Sequence, residues 1–290
     1  MVSLEELAAL DLQIWLRTGP QAALAARCNQ STISRRVERT LGVFRLQLRR
    51  QGGEWHLRGD LQLLRMQREL HQCARFLGQE PLRLEISPLM VPLLAEPAPP
   101  GWRLGRGDIL GLLRPLQLLR ERVFDAWLID NSVDLPAPED PEFVRFDLAR
   151  YPLWLAAVDG HPLVGERGLS LADLRRFPVP QMPQLLFPNT SRAVDALGLC
   201  GVALRSRRYD PADWEGRTAD GVSLTYANPF NLANHGELRQ LDSQPLLGNG
   251  VSLVVRRDQC DQPAIHALRT EVLRRLQALQ HRLPTLQRLA

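Results

Sequence analysis

The stretch that decides the fold is Gln30-Ser31-Thr32-Ile33-Ser34-Arg35-Arg36-Val37, close to the N-terminus of this 290-residue chain. Ile33, Val37 and Leu41 recur every four residues, which predicts a helix with one buried stripe. The other sides of that helix carry Thr32, Ser34, Arg35, Arg36 and Arg39. Small hydroxyl side chains followed by arginines suit a helix in the major groove of DNA, where they reach base edges and phosphates. A solvated amphipathic helix shows the same pattern, so this stretch alone leaves both interpretations open.

A helix–turn–helix and a β-hairpin are predicted around this stretch. Apolar spacing indicates a first helix from Leu4 to Thr18, and Gly19-Pro20 ends it and begins a short alanine-rich helix over 21–27. A polar turn over 28–30 follows, and we expect Ser31 to cap the third helix. Alternating residues over 44–50 and 54–58 flank Gln51-Gly52-Gly53, which is a hairpin signal. The hairpin is interpreted as a wing whose arginines, Arg49, Arg50 and Arg58, contact DNA phosphates.

Positive charge is concentrated in the same part of the chain. Nine arginines and two glutamates lie between Arg17 and Arg58, a net charge of +7 in a protein whose total is +4. The rest of the chain is therefore slightly acidic. A basic segment of this kind binds phosphates through counterion release, although a solvated arginine-rich surface would have the same composition.

A further helix is predicted from Asp60, as its cap, to about Leu77. Its apolar residues are spaced alternately three and four apart: Leu63, Met66, Leu70, Cys73 and Leu77. This spacing forms an a/d seam of about two heptads. A coiled coil is identified from sequence alone only when the pattern continues for about three or four heptads. The position of the helix, between the basic segment and a new domain, favours a dimer-forming linker helix over a core helix.

Residues 1–79 resemble the DNA-binding region of LysR-type transcriptional regulators. That family's pattern is a paired alanine, then Ser-Gln-x-x-[Val/Ile]-Ser-Arg, then Leu-Gly before the wing; the matching residues are Ala22-Ala23, 30–37 and Leu41-Gly42-Val43. The stretch from Ser34 to Gly42 is shorter than in the family by most of a helical turn, and the usual Leu-Phe-x-Arg is missing. The resemblance implies that DNA is contacted by Gln30, Ser31, Thr32, Ser34, Arg35, Arg36, Arg39, Arg49 and Arg50.

The remainder of the chain predicts a parallel α/β sheet. Strands are expected over 82–86, 102–104 and 124–130, with a helix over 108–123, and this βαβαβ order implies parallel strands. LysR-type sensor domains are similar, including the crossing strand Tyr151–Val158 followed by His161-Pro162-Leu163. The family's usual long helix after the first sensor strand is not expected here, because Pro92, Pro97, Pro99 and Pro100 fall in that region.

The predicted fold class is α/β with an all-α-plus-wing N-terminal module: a winged helix-turn-helix, a linker helix and a two-lobed periplasmic-binding-protein-like α/β sensor domain. The expected parts are the winged module (1–58), the linker helix (59–79), lobe I (80–150 and 248–290) and lobe II (151–247). We expect the effector in a cleft at the strand C-termini, where open α/β sheets bind ligands. Its expected contacts are Ser87, Asn131, Ser132, Asn189, Thr190, Ser191, Tyr226 and Asn228, although each of these residues also suits a plain cap or turn. Hydroxyls at helix N-termini suit a carboxylate, so the expected effector is a small organic acid or another polar metabolite.

Other classes of protein are disfavoured by the sequence. No GxSxG, P-loop, GxGxxG or HExxH motif occurs, so neither an enzyme nor a bound cofactor or metal is expected. No apolar run is long enough to cross a membrane, and the first residues do not have the basic start of a secretory signal. Four scattered cysteines, Cys28, Cys73, Cys200 and Cys260, are interpreted as reduced thiols in a cytoplasmic protein. The expected partners are double-stranded DNA, a small effector and further copies of the chain, in a homodimer or homotetramer. A two-lobed binding protein whose DNA-binding module has lost sequence readout is the alternative, and a solute carrier is less favoured.

Overall fold

The computed structural model describes residues 2–204 and 208–289. The α-helices are α1 (Leu4–Leu16), α2 (Gly19–Ala26), α3 (Gln30–Phe44), α4 (Gln62–Phe76), α5 (Leu113–Arg120), α6 (Leu171–Leu174), α7 (Pro188–Asp195), α8 (Pro229–Asn234) and α9 (Pro263–Ala278). The strands are β1 (Gln47–Gln51), β2 (Glu54–Arg58), β3 (Leu82–Ile86), β4 (Trp102–Leu104), β5 (Ala126–Ile129), β6 (Phe143–Val158), β7 (Pro178–Pro180), β8 (Cys200–Val202), β9 (Thr225–Ala227), β10 (Leu238–Gln240), β11 (Leu247–Arg256) and β12 (Gln287–Arg288).

Helices α1 to α3 and the β1–β2 hairpin form the N-terminal module. Its two-residue turn, Gly52-Gly53, has positive φ at both positions, as the tight turns favoured in hairpins require. Helix α3 begins two residues earlier than predicted, and Asn29 rather than Ser31 occupies the cap position without a side-chain hydrogen bond. Strand β1 begins at Gln47 because the chain remains helical through Phe44, where alternation had predicted a strand.

The stretch from Ser34 to Gly42, which is shorter than in the LysR-type pattern, lies entirely within α3. Leu41-Gly42-Val43 lies inside α3 as its last turn, so the helix has 15 residues. A glycine within a helix costs about 1 kcal/mol relative to alanine. The turn forms nonetheless because Leu41 and Phe44 pack against the apolar core of the module.

A mixed sheet organises the rest of the chain in the order β10-β6-β11-β5-β3-β4. Strands β4, β3 and β5 are parallel, as the βαβαβ order predicts. The long strands β6 and β11 run antiparallel to each other and connect two lobes with separate apolar cores. Lobe I denotes β3–β5, α5 and α9 with the adjoining parts of β6 and β11, and lobe II denotes α6–α8 and β7–β10.

Prolines and glycines shorten or exclude helices in two segments of lobe I. The proline-rich region has only short 3₁₀ and π-helical turns over Pro88–Ala95, as the prolines predict. The helix predicted over 108–123 is wrong in length, because α5 covers only Leu113–Arg120. Gly107 and Gly111, both with positive φ, keep the preceding segment out of the helix. Pro115 lies in the first turn of α5, where its missing N–H costs nothing.

The N-terminal module packs directly on lobe I. One apolar cluster contains module residues such as Trp15 together with Leu118, Phe124 and Trp127 of lobe I. The Trp15 and Phe124 rings are 6.0 Å apart between centroids. No helix in the described parts of the chain is both long and apolar enough to cross a membrane.

Candidate nucleic-acid interface and inter-lobe cleft

The predicted DNA-contacting residues lie on the solvent-exposed sides of α3 and on the wing. Gln30, Ser31, Ser34 and Arg35 are exposed, as are Arg39, Arg49 and Arg50, whereas Thr32 and Arg36 are partly covered. Ile33 and Val37 are buried against the module core and hold the helix in this orientation. The structure therefore brings all nine predicted residues to one module without enclosing any of them.

The arginines of this surface fall into two groups. Arg36 and Arg39 approach Glu5 and Glu6 of α1, with N–O distances of 3.9 and 3.0 Å. Arg35, Arg49 and Arg50 have no carboxylate within ion-pair distance anywhere in the described residues. Their charges remain available to an external anion.

The opposite side of the module is joined to lobe I by buried ion pairs. Asp11 of α1 accepts a hydrogen bond from Arg68 Nε at 2.9 Å and lies 3.5 Å from Arg83 Nη1. Arg68 also pairs with Glu121 at 3.0 Å. Burial lowers the pKa of Arg83 to about 10, which keeps it charged at neutral pH. Because Asp11, Arg68 and Arg83 belong to the module, α4 and lobe I respectively, the pairs connect three parts of the chain.

A second buried group lies beside the first. Arg75 donates two hydrogen bonds to Asp125, at 2.8 and 2.7 Å, and Gln72 donates a third at 2.9 Å. The backbone N–H of Arg83 also donates to Asp125. Helix α4 is thereby fixed to lobe I by its polar face.

Glu85 is the buried carboxylate of this interface that has no arginine partner. It accepts hydrogen bonds from the indole N–H of Trp15 and from the backbone N–H of Gly107. Burial raises the pKa of Glu85 to about 7, despite these hydrogen bonds. The contact between α1 and lobe I therefore contains a group that titrates near neutrality.

A cavity of about 120 Å³ lies between the lobes. Its lining combines side chains after β3 and β5, at the carboxyl ends of parallel strands, with aromatic residues of lobe II. Trp127, Phe187, Tyr209, Trp214 and Tyr226 provide aromatic surface. The volume is close to the ~150 Å³ cavity that holds benzene in an engineered protein, so the space suits a small molecule.

The structure brings together five of the eight residues predicted for the effector. Ser87, Asn131, Thr190, Tyr226 and Asn228 line the cavity, whereas Ser132, Asn189 and Ser191 do not. Several of the five have internal partners as well. The Tyr226 hydroxyl donates to the carbonyl of Pro180, and Asn228 caps α8 by accepting from the N–H groups of Phe230 and Asn231.

The helix N-terminus expected to bind an effector carboxylate is already occupied by a carboxylate of the protein. Asp134 of lobe I accepts hydrogen bonds from the backbone N–H groups of Asn189 and Thr190, at 2.6 and 3.2 Å. It also accepts from the Thr190 hydroxyl at 2.5 Å and from the Asn131 amide at 2.8 Å. Because α7 belongs to lobe II, Asp134 joins the two lobes and uses the donors that an acid would need.

Two acidic residues of the cavity were missed by the sequence analysis. Asp130 follows β5, and Glu215 lies in a 3₁₀ turn of lobe II over Glu215–Asp220. Glu215 accepts from the Tyr209 hydroxyl at 2.8 Å, and Asp130 from the Asn228 amide at 3.4 Å. Burial and the nearby charge of Glu215 raise the pKa of Asp130. Asp130 directly precedes Asn131 at the end of a predicted strand and could have been found, whereas nothing in its local sequence marks Glu215.

One segment of lobe I contacts both the cavity and the module. Ile109 and Gly111 line the cavity. The neighbouring Asp108 forms an ion pair with Arg17 of the module. Arg208 pairs with Asp108 and also with Glu54 of the wing. Residues 105–112 therefore lie between the wing and the cleft.

The predicted seam of α4 faces outward. Leu63, Met66, Leu70 and Leu77 are 67, 63, 59 and 77% exposed, and Cys73 is exposed as well. The opposite face, which includes Leu64, Arg68 and Arg75, is buried within the chain. In the described ranges, no group of three or more His, Cys, Asp or Glu is placed to hold a metal ion.

Comparisons with solved structures agree on the architecture, whereas comparisons with family models and curated proteins find no match. Among solved structures, a full-length OxyR from Pseudomonas aeruginosa is similar with a TM-score of 0.55 at 15% identity, over 94% of this chain and 95% of its own. HinK, a LysR family transcriptional regulator from Pseudomonas aeruginosa, is similar with a TM-score of 0.50 at 14% identity, over 95% and 99%. The regulatory domain of MetR, a LysR family regulator from N. meningitidis, matches 72% of this chain and 99% of its own, with a TM-score of 0.53 at 15% identity. Over nearly its whole length, this chain has the fold of LysR-family transcriptional regulators.

Proposed function

We propose that this protein is a DNA-binding transcriptional regulator of the LysR type that responds to a small molecule in the inter-lobe cleft. The observation that carries the proposal is the exposed surface of α3 and the wing, where Arg35, Arg49 and Arg50 have no carboxylate partner in the described chain. Ser31 and Ser34 lie on the same exposed surface, next to Arg35. Hydroxyl and guanidinium groups at this spacing can read base edges while the wing contacts phosphates.

Fluorescence anisotropy tests this proposal directly. The full chain is titrated onto the duplex from upstream of its own gene and onto a scrambled duplex of equal length, over a series of salt concentrations. We expect preferential binding to the native duplex, with a steep loss of affinity as salt rises. Weak and equal binding to both duplexes would favour the alternative, a two-lobed binding protein without sequence readout.

Variants of single arginines separate readout from phosphate contact. Arg35→Ala is expected to cost about 1–3 kcal/mol on the native duplex and less on the scrambled one. Arg49→Ala should weaken both duplexes equally and reduce the salt slope by about 1. Arg167→Ala removes an exposed arginine of lobe II, outside the DNA surface, and serves as the matched control. Equal losses on both duplexes for Arg35→Ala would place Arg35 on a phosphate.

The proposed protein partner is a second copy of the chain, bound through α4. The exposed seam is apolar along one side of the helix, and exposed apolar surface of this kind is typical of protein contacts. Leu70→Glu places a charge in the seam and should shift the chain toward monomer in analytical ultracentrifugation. Leu113→Glu is the control, because Leu113 is equally exposed but lies on α5. An unchanged assembly in the Leu70 variant would exclude this seam.

The proposed route of signalling is the segment 105–112. It lies between the cavity and the ion pairs that hold Arg17 and Glu54 of the module. A ligand that binds one lobe arrangement more tightly shifts the population toward that arrangement. Movement of this segment would then change the position of the wing relative to lobe I.

A further inference from the structure

The cleft of the proposed regulator contains acidic charge that nothing around it balances. Asp130 and Glu215 line the same cavity, and no arginine or histidine of the described residues joins them there. Their partners are neutral groups: the Tyr209 hydroxyl and Asn231 amide for Glu215, and the Ser87 hydroxyl and Asn228 amide for Asp130. Glu215 is only 5% exposed, so water cannot screen its charge well.

A hydroxyl without a partner points to the same cavity. Thr225 of β9 lines it and is 1% exposed, yet its hydroxyl makes no hydrogen bond to any described residue. Buried polar side chains almost always have a partner, so this hydroxyl is available to a ligand group or a water molecule in the cavity. The Asn249 amide, which also lines the cavity and accepts from the Ser132 N–H, is neutral and cannot balance a carboxylate.

Binding of an organic acid in this cavity would be unfavourable. Its carboxylate would be added to two existing acidic groups, and the N–H groups at the start of α7 that could receive it are taken by Asp134. A cation is favoured instead, because it neutralises the charges of Asp130 and Glu215 and donates to their oxygens. The aromatic rings of Trp127, Trp214 and Tyr226 provide cation–π surface for the cationic group and apolar surface for the rest of such a molecule.

We propose that the effector is a small primary amine with an apolar body about the size of a benzene ring, its ammonium group held by Asp130 and Glu215. The Thr225 hydroxyl accepts a further ammonium hydrogen bond or contacts the ligand body. This inference rests on the proposed function only in naming the ligand an effector. The chemistry of the cleft stands without it.

Three probes of nearly equal size test the proposal: benzylamine, benzyl alcohol and benzoate. Binding to the full chain is measured by calorimetry at neutral pH, with the tryptophan fluorescence of the cavity as a second readout. We expect benzylamine to bind at least about tenfold more tightly than benzyl alcohol, and benzoate to bind most weakly. Equal binding of the three, tighter binding of benzoate, or no binding of any probe would overturn the proposal.

Variants locate the preference. Asp130→Asn and Glu215→Gln should each reduce the ratio of benzylamine to benzyl alcohol affinity by about tenfold, whereas Glu139→Gln, an exposed site, should leave it unchanged. Thr225→Val keeps the shape and charge of the cavity and should weaken benzylamine by about fivefold. An amine preference that survives both charge-neutral variants would place the amine elsewhere.

DNA binding by the same preparations separates the two proposals. Sequence-specific DNA binding without an amine preference would refute only the ligand class. An amine preference with equal binding to native and scrambled duplexes would refute the regulator and leave the chemistry of the cleft intact.

Discussion

Carboxylates lie at two interfaces of lobe I, one with the N-terminal module and α4 and one with lobe II, and the surroundings of the two sets differ. At the first interface, Asp11 of the module and Asp125 of lobe I face arginines at ion-pair distance. Across the cleft, Asp130 and Glu215 face only hydroxyl and amide groups of the described residues. The charges of the first set are paired within the chain, whereas the second set has the composition that fits the proposed cation.

The difference has an energetic basis. Removal of one member of a buried ion pair leaves an uncompensated charge, which costs far more than the intact pair contributes. Arginines on the module side therefore fix the module against lobe I. The acidic residues of the cleft raise the free energy of the unliganded arrangement, and a bound cation relieves that cost. On the proposed function, one surface thus resists change while the other responds to a ligand.

The largest expected effect is the loss of Asp11. Asp11→Ala leaves the guanidinium groups of Arg68 and Arg83 buried without this partner, and we expect a loss of about 3–5 kcal/mol in the free energy of unfolding. Urea denaturation measures the change. The control is Asp159→Ala, which removes an exposed pair with Arg239 at 2.9 Å and should cost at most about 1 kcal/mol. Similar losses for the two variants would mean that the pairs at the module surface are no more important than exposed ones.

Much of the module and the sheet could be predicted from the sequence, because local patterns determine them. The wing followed from alternation around Gly52-Gly53, and the parallel strands followed from their order. Helix α5 was predicted too long because apolar spacing continues through a segment that Gly107 and Gly111 divert. The contact between the Glu85 carboxyl and the Trp15 indole joins residues 70 positions apart, and no local pattern reports such a contact.

The cleft was less predictable, because its contacts join residues that lie far apart in the sequence. Ser87 and Asn131 line the cleft and could be predicted, because each of them follows the end of a predicted strand. Asp134 is a further case, since only the folded arrangement of the lobes shows that it fills the N-terminus of α7. The expectation of an acid effector depended on that terminus being free.

A second prediction concerns Glu85, the exception at the module surface. Its pKa of about 7 in the folded chain lies above the ordinary 4.5, so the folded state binds this proton more tightly than the unfolded state. The stability that Glu85 contributes is therefore present below about pH 4.5 and is lost as pH rises toward 7, by about 3 kcal/mol in total. Glu85→Gln should remove this decrease when unfolding free energies are compared across that range. Glu139→Gln should retain the wild-type profile, and a Glu85 variant with the same profile would show that the carboxyl is ionised as usual.

The smallest expected effect tests whether the Asp134 carboxylate joins the two lobes across the cleft. Asp134→Ala removes the acceptor for the N–H groups of Asn189 and Thr190 and should cost about 2 kcal/mol. Because the donors and the acceptor lie on different lobes, hydrogen exchange should accelerate both in α7 and in the turn after β5. Asp173→Ala removes the capping-box carboxylate of α6, which lies within lobe II, and should accelerate exchange only around α6. If the Asp134 variant affected α7 alone, its carboxylate would be a simple helix cap, and contacts such as Leu112 with Leu186 would hold the lobes together instead.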